Sequence, residues 1–152
     1  MLPAMHPELT RRTFALGVAV AAAGAGLPVV GTVSAMAADG DTKHKALVVA
    51  AGACLAAAEV CHAHCLKLLG TGDTSLKVCA PLVSATIPVC QALVRLAVLD
   101  HGRLKEFAKA CLNVCADCET ECRKHEGHHA ECKACAEACA VCIRECKQLI
   151  SA

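Results

Sequence analysis

The spacing of apolar and polar positions predicts four helices in this chain. From about residue 41 onward, apolar residues, with cysteine among them, recur at steps of three and four, which is the spacing of one helical face. Glycine-containing turns interrupt this repeat at residues 70–74, 100–102 and 125–128. We expect helix one over Asp41–Leu69, helix two over Thr74–Leu99, helix three over Arg103–Lys124 and helix four over His129–Ile150.

Local signals agree with this division. Asp41 suits the N-cap of helix one, and Gly70 suits the glycine that ends it. In helix two, Pro81 and Pro88 each remove a backbone donor, so we expect them to bend the helix or shorten its regular part. Four helices joined by short turns predict an all-α fold, an antiparallel up-down-up-down four-helix bundle.

The four helices differ in how much of their surface is apolar. Helices one and two are apolar on nearly every side, whereas helices three and four carry Lys, Glu and Arg on their outer faces. A helix that is apolar all round is normally buried all round. We therefore expect self-association through helices one and two. The alternative is that these surfaces are only wide core faces within one bundle.

Cysteine occupies the inward positions where a bundle would usually place leucine. In helices three and four the cysteines follow one another at steps of three and four, and each set covers no more than about 80° of arc. The cysteines of helices one and two continue the same stripes. The predicted core is thus lined by all 14 cysteines: Cys54, Cys61, Cys65, Cys79, Cys90, Cys111, Cys115, Cys118, Cys122, Cys132, Cys135, Cys139, Cys142 and Cys146.

Packing, disulfides and metal binding each offer an explanation of these stripes. Cysteine packs as a small hydrophobe, but uninterrupted stripes on adjacent helices exceed what packing requires. Helical neighbours have Cβ atoms about 5–6 Å apart, whereas a disulfide needs about 3.5–4.5 Å. Two thiolates on one ion lie roughly 4–5 Å apart, since a metal–sulfur bond is about 2.3 Å long. Metal binding fits the spacing best.

Thiolates select soft ions, which leaves Cu(I), zinc or an iron–sulfur cluster. Zinc favours closed groups of four ligands, and iron–sulfur clusters favour cysteines that converge from loops. Straight helical stripes predict pairs and triplets of sulfur rather than closed groups of four. This favours several Cu(I) ions per chain and storage rather than catalysis, because a saturated thiolate core offers no open position to a substrate. An iron–sulfur redox protein and a zinc or heavy-metal buffer are the alternatives.

Histidines cluster at one predicted end of the bundle. His125, His128 and His129 lie in the turn between helices three and four, and His64 directly precedes Cys65 near the end of helix one. Because imidazole binds copper, these four side chains could take up the ion at the mouth of the core and pass it inward. The alternative is that they are polar surface residues. His44 and His101 are expected at the opposite end.

Residues 1–37 have the pattern of a cleavable export signal. Arg11 and Arg12 form a twin-arginine pair, an alanine- and glycine-rich stretch follows over residues 15–33, and Ala35-Met36-Ala37 suits a cleavage site. This predicts export by the twin-arginine route, with the periplasm as the destination, and a mature domain over residues 38–152. The alternative is a membrane anchor, which the weak hydrophobicity of the stretch disfavours.

The mature part has no feature that suits nucleic acid or a membrane surface. Signal removal takes away Arg11, Arg12 and Glu8, so the remaining formal charge is near zero and offers no basic excess to phosphates. Phe107 is its only Phe, Tyr or Trp residue, so a stacking platform for bases is absent as well. We expect neither partner once the signal has been removed.

The mature chain resembles the cysteine-rich four-helix-bundle copper storage proteins, in particular their exported branch with a twin-arginine signal. The resemblance rests on the spacings Cys54-x6-Cys61-x3-Cys65, on Cys79 and Cys90, and on the helix-three and helix-four runs from Cys115 to Cys146. It implies many Cu(I) ions along the bundle axis, each held mainly by two thiolates, assembly into a homotetramer, and a copper client or chaperone as partner. Members of that branch can carry methionines beside the mouth histidine, where this chain has leucines.

Overall fold

The computed structural model describes residues 43–152, which fold into four helices. They are α1 (Lys45–Gly70), α2 (Cys79–Val98), α3 (Leu104–Arg123) and α4 (Ala130–Ser151). Each helix packs against its neighbours in sequence, and α4 returns to α1, so that the four helices enclose one core. The described part is all-α and contains no strand. The predicted four-helix fold is confirmed.

The ends of α1 differ from the predicted ones. The helix begins at Lys45 after His44, so the predicted start was too early, and the proposed N-cap Asp41 lies outside the described residues. Gly70 is the last residue of the helix and not its terminating glycine. That role belongs to Gly72, whose φ of +87° lies in the left-handed region that favours glycine. The N–H of Gly72 bonds to Leu69 and the N–H of Asp73 to Leu68, which completes a Schellman ending.

The first predicted turn of α2 is not helical. Residues 74–78 form turns, in which the Asp73 carboxylate accepts the Ser75 N–H at 2.9 Å and Leu76 inserts fully into the core. Because α2 begins at Cys79, Pro81 falls in the first turn, where a backbone donor has no helical partner to lose. The regular part of helix two is shorter than Thr74–Leu99, which agrees with one of the two effects expected of Pro81. Pro88 is the proline inside α2.

The core changes character along the bundle axis. Where α1 begins and α2 ends, hydrocarbon side chains fill the interior, among them Leu47, Leu93, Ala97 and Leu104. From there to the other end, cysteines line it, and every one of the 14 is fully buried. The sulfur-lined core therefore ends against apolar side chains on one side. On the other side it reaches toward His64 in the C-terminal part of α1 and His129 at the N-cap of α4.

The outer surfaces of α1 and α2 stay apolar in the single chain. Val49 and Val60 on α1 are 62% and 60% exposed, and Leu66 is 53% exposed. By length and composition alone, α1 and α2 are apolar enough to cross a membrane, although each contributes one side to the core of the bundle. The single bundle therefore does not bury these helices on every side.

Candidate metal centre

The 14 cysteines are free thiols, and their sulfur atoms lie close together in the core. Neighbouring sulfurs on different helices are 3.5–3.8 Å apart, well beyond a disulfide bond of about 2 Å. Each helix contributes because its cysteines are three, four, seven or eleven residues apart, spacings that place them on one inward face. The prediction of a common sulfur-lined core is confirmed. Which thiols bind an ion stays a prediction.

Two groups of four thiols cross the bundle, each with one sulfur from every helix. The mouth layer lies near the histidine end and consists of Cys61, Cys79, Cys122 and Cys132. The deep layer lies toward the hydrocarbon end and consists of Cys54, Cys90, Cys115 and Cys142. Within each layer all four sulfurs are within 4.8 Å of one another.

These layers correct the sequence-based expectation that no closed group of four would form. Spacing within a helix gives the direction of each sulfur, but a layer depends on the relative heights of four different helices. In a tetrahedral zinc site with bonds of about 2.3 Å, sulfurs are roughly 3.8 Å apart. The Cys79–Cys122 and Cys90–Cys115 distances of 3.5 and 3.7 Å are close to that value. The sulfur–sulfur distances in the layers are therefore compatible with zinc as well as with copper.

Two groups of three thiols complete the series of thiol groups along the bundle axis. The bridge, Cys118, Cys135 and Cys139, lies on α3 and α4. The end group, Cys111, Cys142 and Cys146, shares Cys142 with the deep layer and lies nearest the hydrocarbon end. Cys65 belongs to neither layer nor to these groups, and its sulfur neighbours Cys61 and Cys79 in the mouth layer.

The surroundings of each thiol shift its pKa in different directions. Burial raises the pKa of Cys65 and Cys132, because a thiolate at either position would lose its hydration. A hydrogen bond from Cys115 lowers the pKa of Cys54 to about 5, because S–H donors stabilise a thiolate. Several protons must therefore leave the core when metal binds, so loading should release protons and weaken at low pH.

We expect the metal-free, reduced protein to lose thermal stability as pH rises from about 9 to about 11. The folded state raises the pKa of Cys65 and Cys132 above the ordinary value of 9.0. Their contribution is therefore complete below that value and is lost as pH increases, because the unfolded chain ionises first. Thermal unfolding followed by circular dichroism measures this. Cys65→Ala should reduce the dependence, and a stability that rises over this interval would contradict the prediction.

The structure brings three of the four predicted mouth histidines together. His64 Nε2 lies 3.0 Å from His129 Nδ1, and the rings of His125 and His129 are 6.4 Å apart between centroids. His128 is exposed, and its backbone N–H donates a hydrogen bond to the His125 carbonyl. Its part in metal entry stays a prediction. His44 and Asp100 meet at the opposite end, as expected of His44.

Two carboxylates join the mouth histidines, and sequence reasoning missed both. Glu131 Oε1 lies 3.5 Å from His64 Nδ1, and Glu121 Oε1 lies 3.2 Å from His125 Nε2. Hydrogen bonds from Lys124 and then His125 lower the pKa of Glu121. Glu121 lies four residues before His125, a spacing that places both on one helical side and could have identified the pair. The Glu131–His64 pair depends on the packing of α4 against α1.

Comparison with known proteins gives a consistent result. A model of the copper storage protein family, Csp, matches residues 40–151. Among solved structures, apo copper storage protein 3 from Bacillus subtilis is similar at 30% identity, with a TM-score of 0.61. The alignment covers 70% of this chain and 97% of that chain. Comparison with curated proteins gave no significant match.

Proposed function

The chain belongs to the copper storage protein family, and we propose that the thiolates of its core bind several Cu(I) ions as cargo. The observation that carries the proposal is the set of close sulfur pairs between helices, 3.5–3.8 Å apart, within groups of three and four thiols along the bundle. Thiolate is the ligand that Cu(I) prefers, and the ion accepts two or three sulfurs. Such a core holds metal in bulk, for supply to copper enzymes or for protection, and performs no catalysis.

Titration of the reduced, metal-free protein with Cu(I) under nitrogen tests the proposal. We expect uptake of at least roughly seven ions per chain, because 14 thiolates can supply two ligands to each of that many ions without sharing. Native mass spectrometry counts the ions, and the loaded protein should be colourless. Binding of only one or two ions would contradict bulk storage, and a brown product would favour an iron–sulfur protein.

A zinc buffer is the second candidate, because the mouth and deep layers each present four thiols from four helices. Zinc needs closed groups of four, so we expect it to stop at about two ions per chain, one per layer. Cu(I) can also use the bridge and the end group, which have three thiols each. Displacement of bound zinc by an equimolar supply of Cu(I) would support copper as the cargo. Zinc that resists displacement would favour the buffer.

The histidine end is the proposed site of copper uptake and release. His64 lies next to Cys65 in sequence, its ring is 21% exposed, and it pairs with His129. Imidazole can hold copper at the surface until a thiolate takes it. At the other end, hydrocarbon side chains such as Leu47 and Leu93 separate the sulfurs from solvent. Copper is therefore expected to pass through one end, where a client or chaperone would meet it.

We also propose that the mature protein is exported and self-associates. The twin-arginine pattern and the small residues at 35–37 support export to the periplasm, and detection of the mature chain there measures it. The exposed valines of α1 support self-association into a homotetramer, because water leaves such apolar surfaces when chains associate. Light scattering of the mature protein measures the number of chains.

A further inference from the structure

The core contains fewer thiols between the mouth layer and the deep layer than in the layers themselves. At this level α1 and α2 present no thiol: Ala58 lies between Cys54 and Cys61 on α1, and Val83 and Thr86 lie between Cys79 and Cys90 on α2. All three of these intervening side chains are fully buried, so they face the core. Sulfur at this level comes from α3 and α4 alone, in the three-thiol bridge.

The bridge connects the two layers by close sulfur contacts. Cys118 Sγ lies 3.8 Å from Cys135 Sγ within the bridge. On the deep side, Cys139 Sγ lies 3.6 Å from Cys54 Sγ. On the mouth side, Cys122 lies one helical turn beyond Cys118 on the buried face of α3. An ion could therefore move from one layer to the other while it stays bound to sulfur, but only along the side of the core formed by α3 and α4.

Thr86 lies on the α2 side of the core, at the level of the bridge. It is the one fully buried hydroxyl in residues 43–152, and its Oγ1 donates a hydrogen bond to the Leu82 carbonyl at 3.0 Å. Hydrogen bonds from neighbouring cysteines, Cys122 first, lower the pKa of Cys118, and the Thr86 hydroxyl contributes in the same direction. The hydroxyl thus lies beside a bridge sulfur. As a hard oxygen, it does not replace a thiolate as a ligand of Cu(I).

We propose that the thiol core consists of two stores, and that Cu(I) passes between them through Cys118, Cys135 and Cys139 alone, with Thr86 closing the α2 side. The inference rests on the proposed function. Each step is a ligand exchange: one copper–sulfur bond forms as another breaks, and the proton of the incoming thiol passes to the sulfur that is released. Copper remains Cu(I) throughout. The bridge therefore controls how fast the deep store fills and empties.

Removal of the bridge tests the passage. In a variant with Cys118→Ala, Cys135→Ala and Cys139→Ala, we expect the deep thiols to be protected by Cu(I) at least about tenfold more slowly than the mouth thiols. Alkylation after timed exposure to Cu(I), followed by peptide mass spectrometry, reports each cysteine separately. A variant with Cys65→Ala, Cys111→Ala and Cys146→Ala is the matched control, since it also loses three thiols but keeps the bridge and both layers. Equal protection rates at both layers in the bridge variant would overturn the proposal.

A second variant adds a thiol instead of removing three. Its result therefore cannot be attributed to cavities that alanine substitutions leave in the core. Thr86→Cys places a thiol on the α2 side of the passage and should speed protection of the deep cysteines several-fold. Thr86→Val removes the hydroxyl with little change of shape and should leave the rate as in the natural protein. If Thr86→Cys does not speed deep loading, Thr86 does not limit the passage. If the natural protein takes up no Cu(I), the proposed function fails instead, and the two failures are distinguishable.

Discussion

Loading the reduced protein with Cu(I) is expected to raise its unfolding temperature by about 20 °C or more. Each ion that binds only the folded state, present at a thousand times its dissociation constant, stabilises that state by about 4 kcal/mol. In a domain of this size, 1 kcal/mol moves the midpoint by a few degrees. Several ions, held by sulfurs from all four helices, therefore give a large increase.

This effect has a specific structural cause. In the mouth layer, one ion can bind thiolates of Cys79 on α2 and Cys122 on α3, which are 3.5 Å apart without metal. Cys61 on α1 and Cys132 on α4 are 3.8 Å apart in the same layer. Metal at these positions ties together helices that otherwise meet through small side chains. Unfolding must then break copper–sulfur bonds as well as expose apolar surface.

Thermal unfolding of metal-free and Cu(I)-loaded protein, both under nitrogen with a reductant, provides the measurement. Ca²⁺ is the matched control ion, because it prefers oxygen ligands and should leave the midpoint unchanged. Treatment of the loaded protein with a Cu(I) chelator should return the midpoint to the metal-free value. A midpoint that does not rise on loading would mean that the ions bind outside the core.

The His64→Ala variant is expected to take up and release Cu(I) about tenfold more slowly than the natural protein, with a capacity that changes by no more than about one ion. The His64 ring lies at the mouth, 3.0 Å from His129, and directly precedes the buried Cys65. Its removal takes away a nitrogen ligand between solvent and the first thiols. The thiols that hold most of the metal are unchanged, so rate and capacity should respond differently.

Transfer of Cu(I) to a coloured chelator, followed by absorbance, gives the rate and the total amount together. His101→Ala is the matched control, since His101 is exposed at the opposite end of the bundle, beyond the hydrocarbon part of the core. A role in uptake requires that His64→Ala alone slows transfer. Equal rates for the two variants would remove His64 from the pathway. A loss of several ions in His64→Ala would make it a storage residue.

The periodicity of the cysteines made the fold and the sulfur-lined core predictable. A residue repeated at three and four positions, such as Cys135, Cys139 and Cys142, shares one helical face whatever surrounds it. Short turns then allow few arrangements other than a bundle. The same reasoning places His64 and His129 at one end, because α1 ends where α4 begins.

Relations between helices were not predictable from spacing. The four-thiol layers depend on the height of Cys54 relative to Cys90, Cys115 and Cys142, which is set by packing of all four helices. The start of α2 was misjudged for a similar reason: burial of Leu76 draws residues 74–78 into turns across the end of the bundle. Thr86 escaped notice because its chemistry becomes apparent only beside Cys118.

One consequence follows from a core in which thiols take the place of leucine. The cysteine side chains that pack the helices together are also the proposed metal ligands. The metal-loaded bundle should therefore unfold less often than the metal-free bundle. Proteases cut a chain in its open state. When metal is scarce, proteolysis would shorten the lifetime of the metal-free protein. When metal is abundant, the loaded protein would persist, so the amount of protein would follow the amount of metal without a separate sensor.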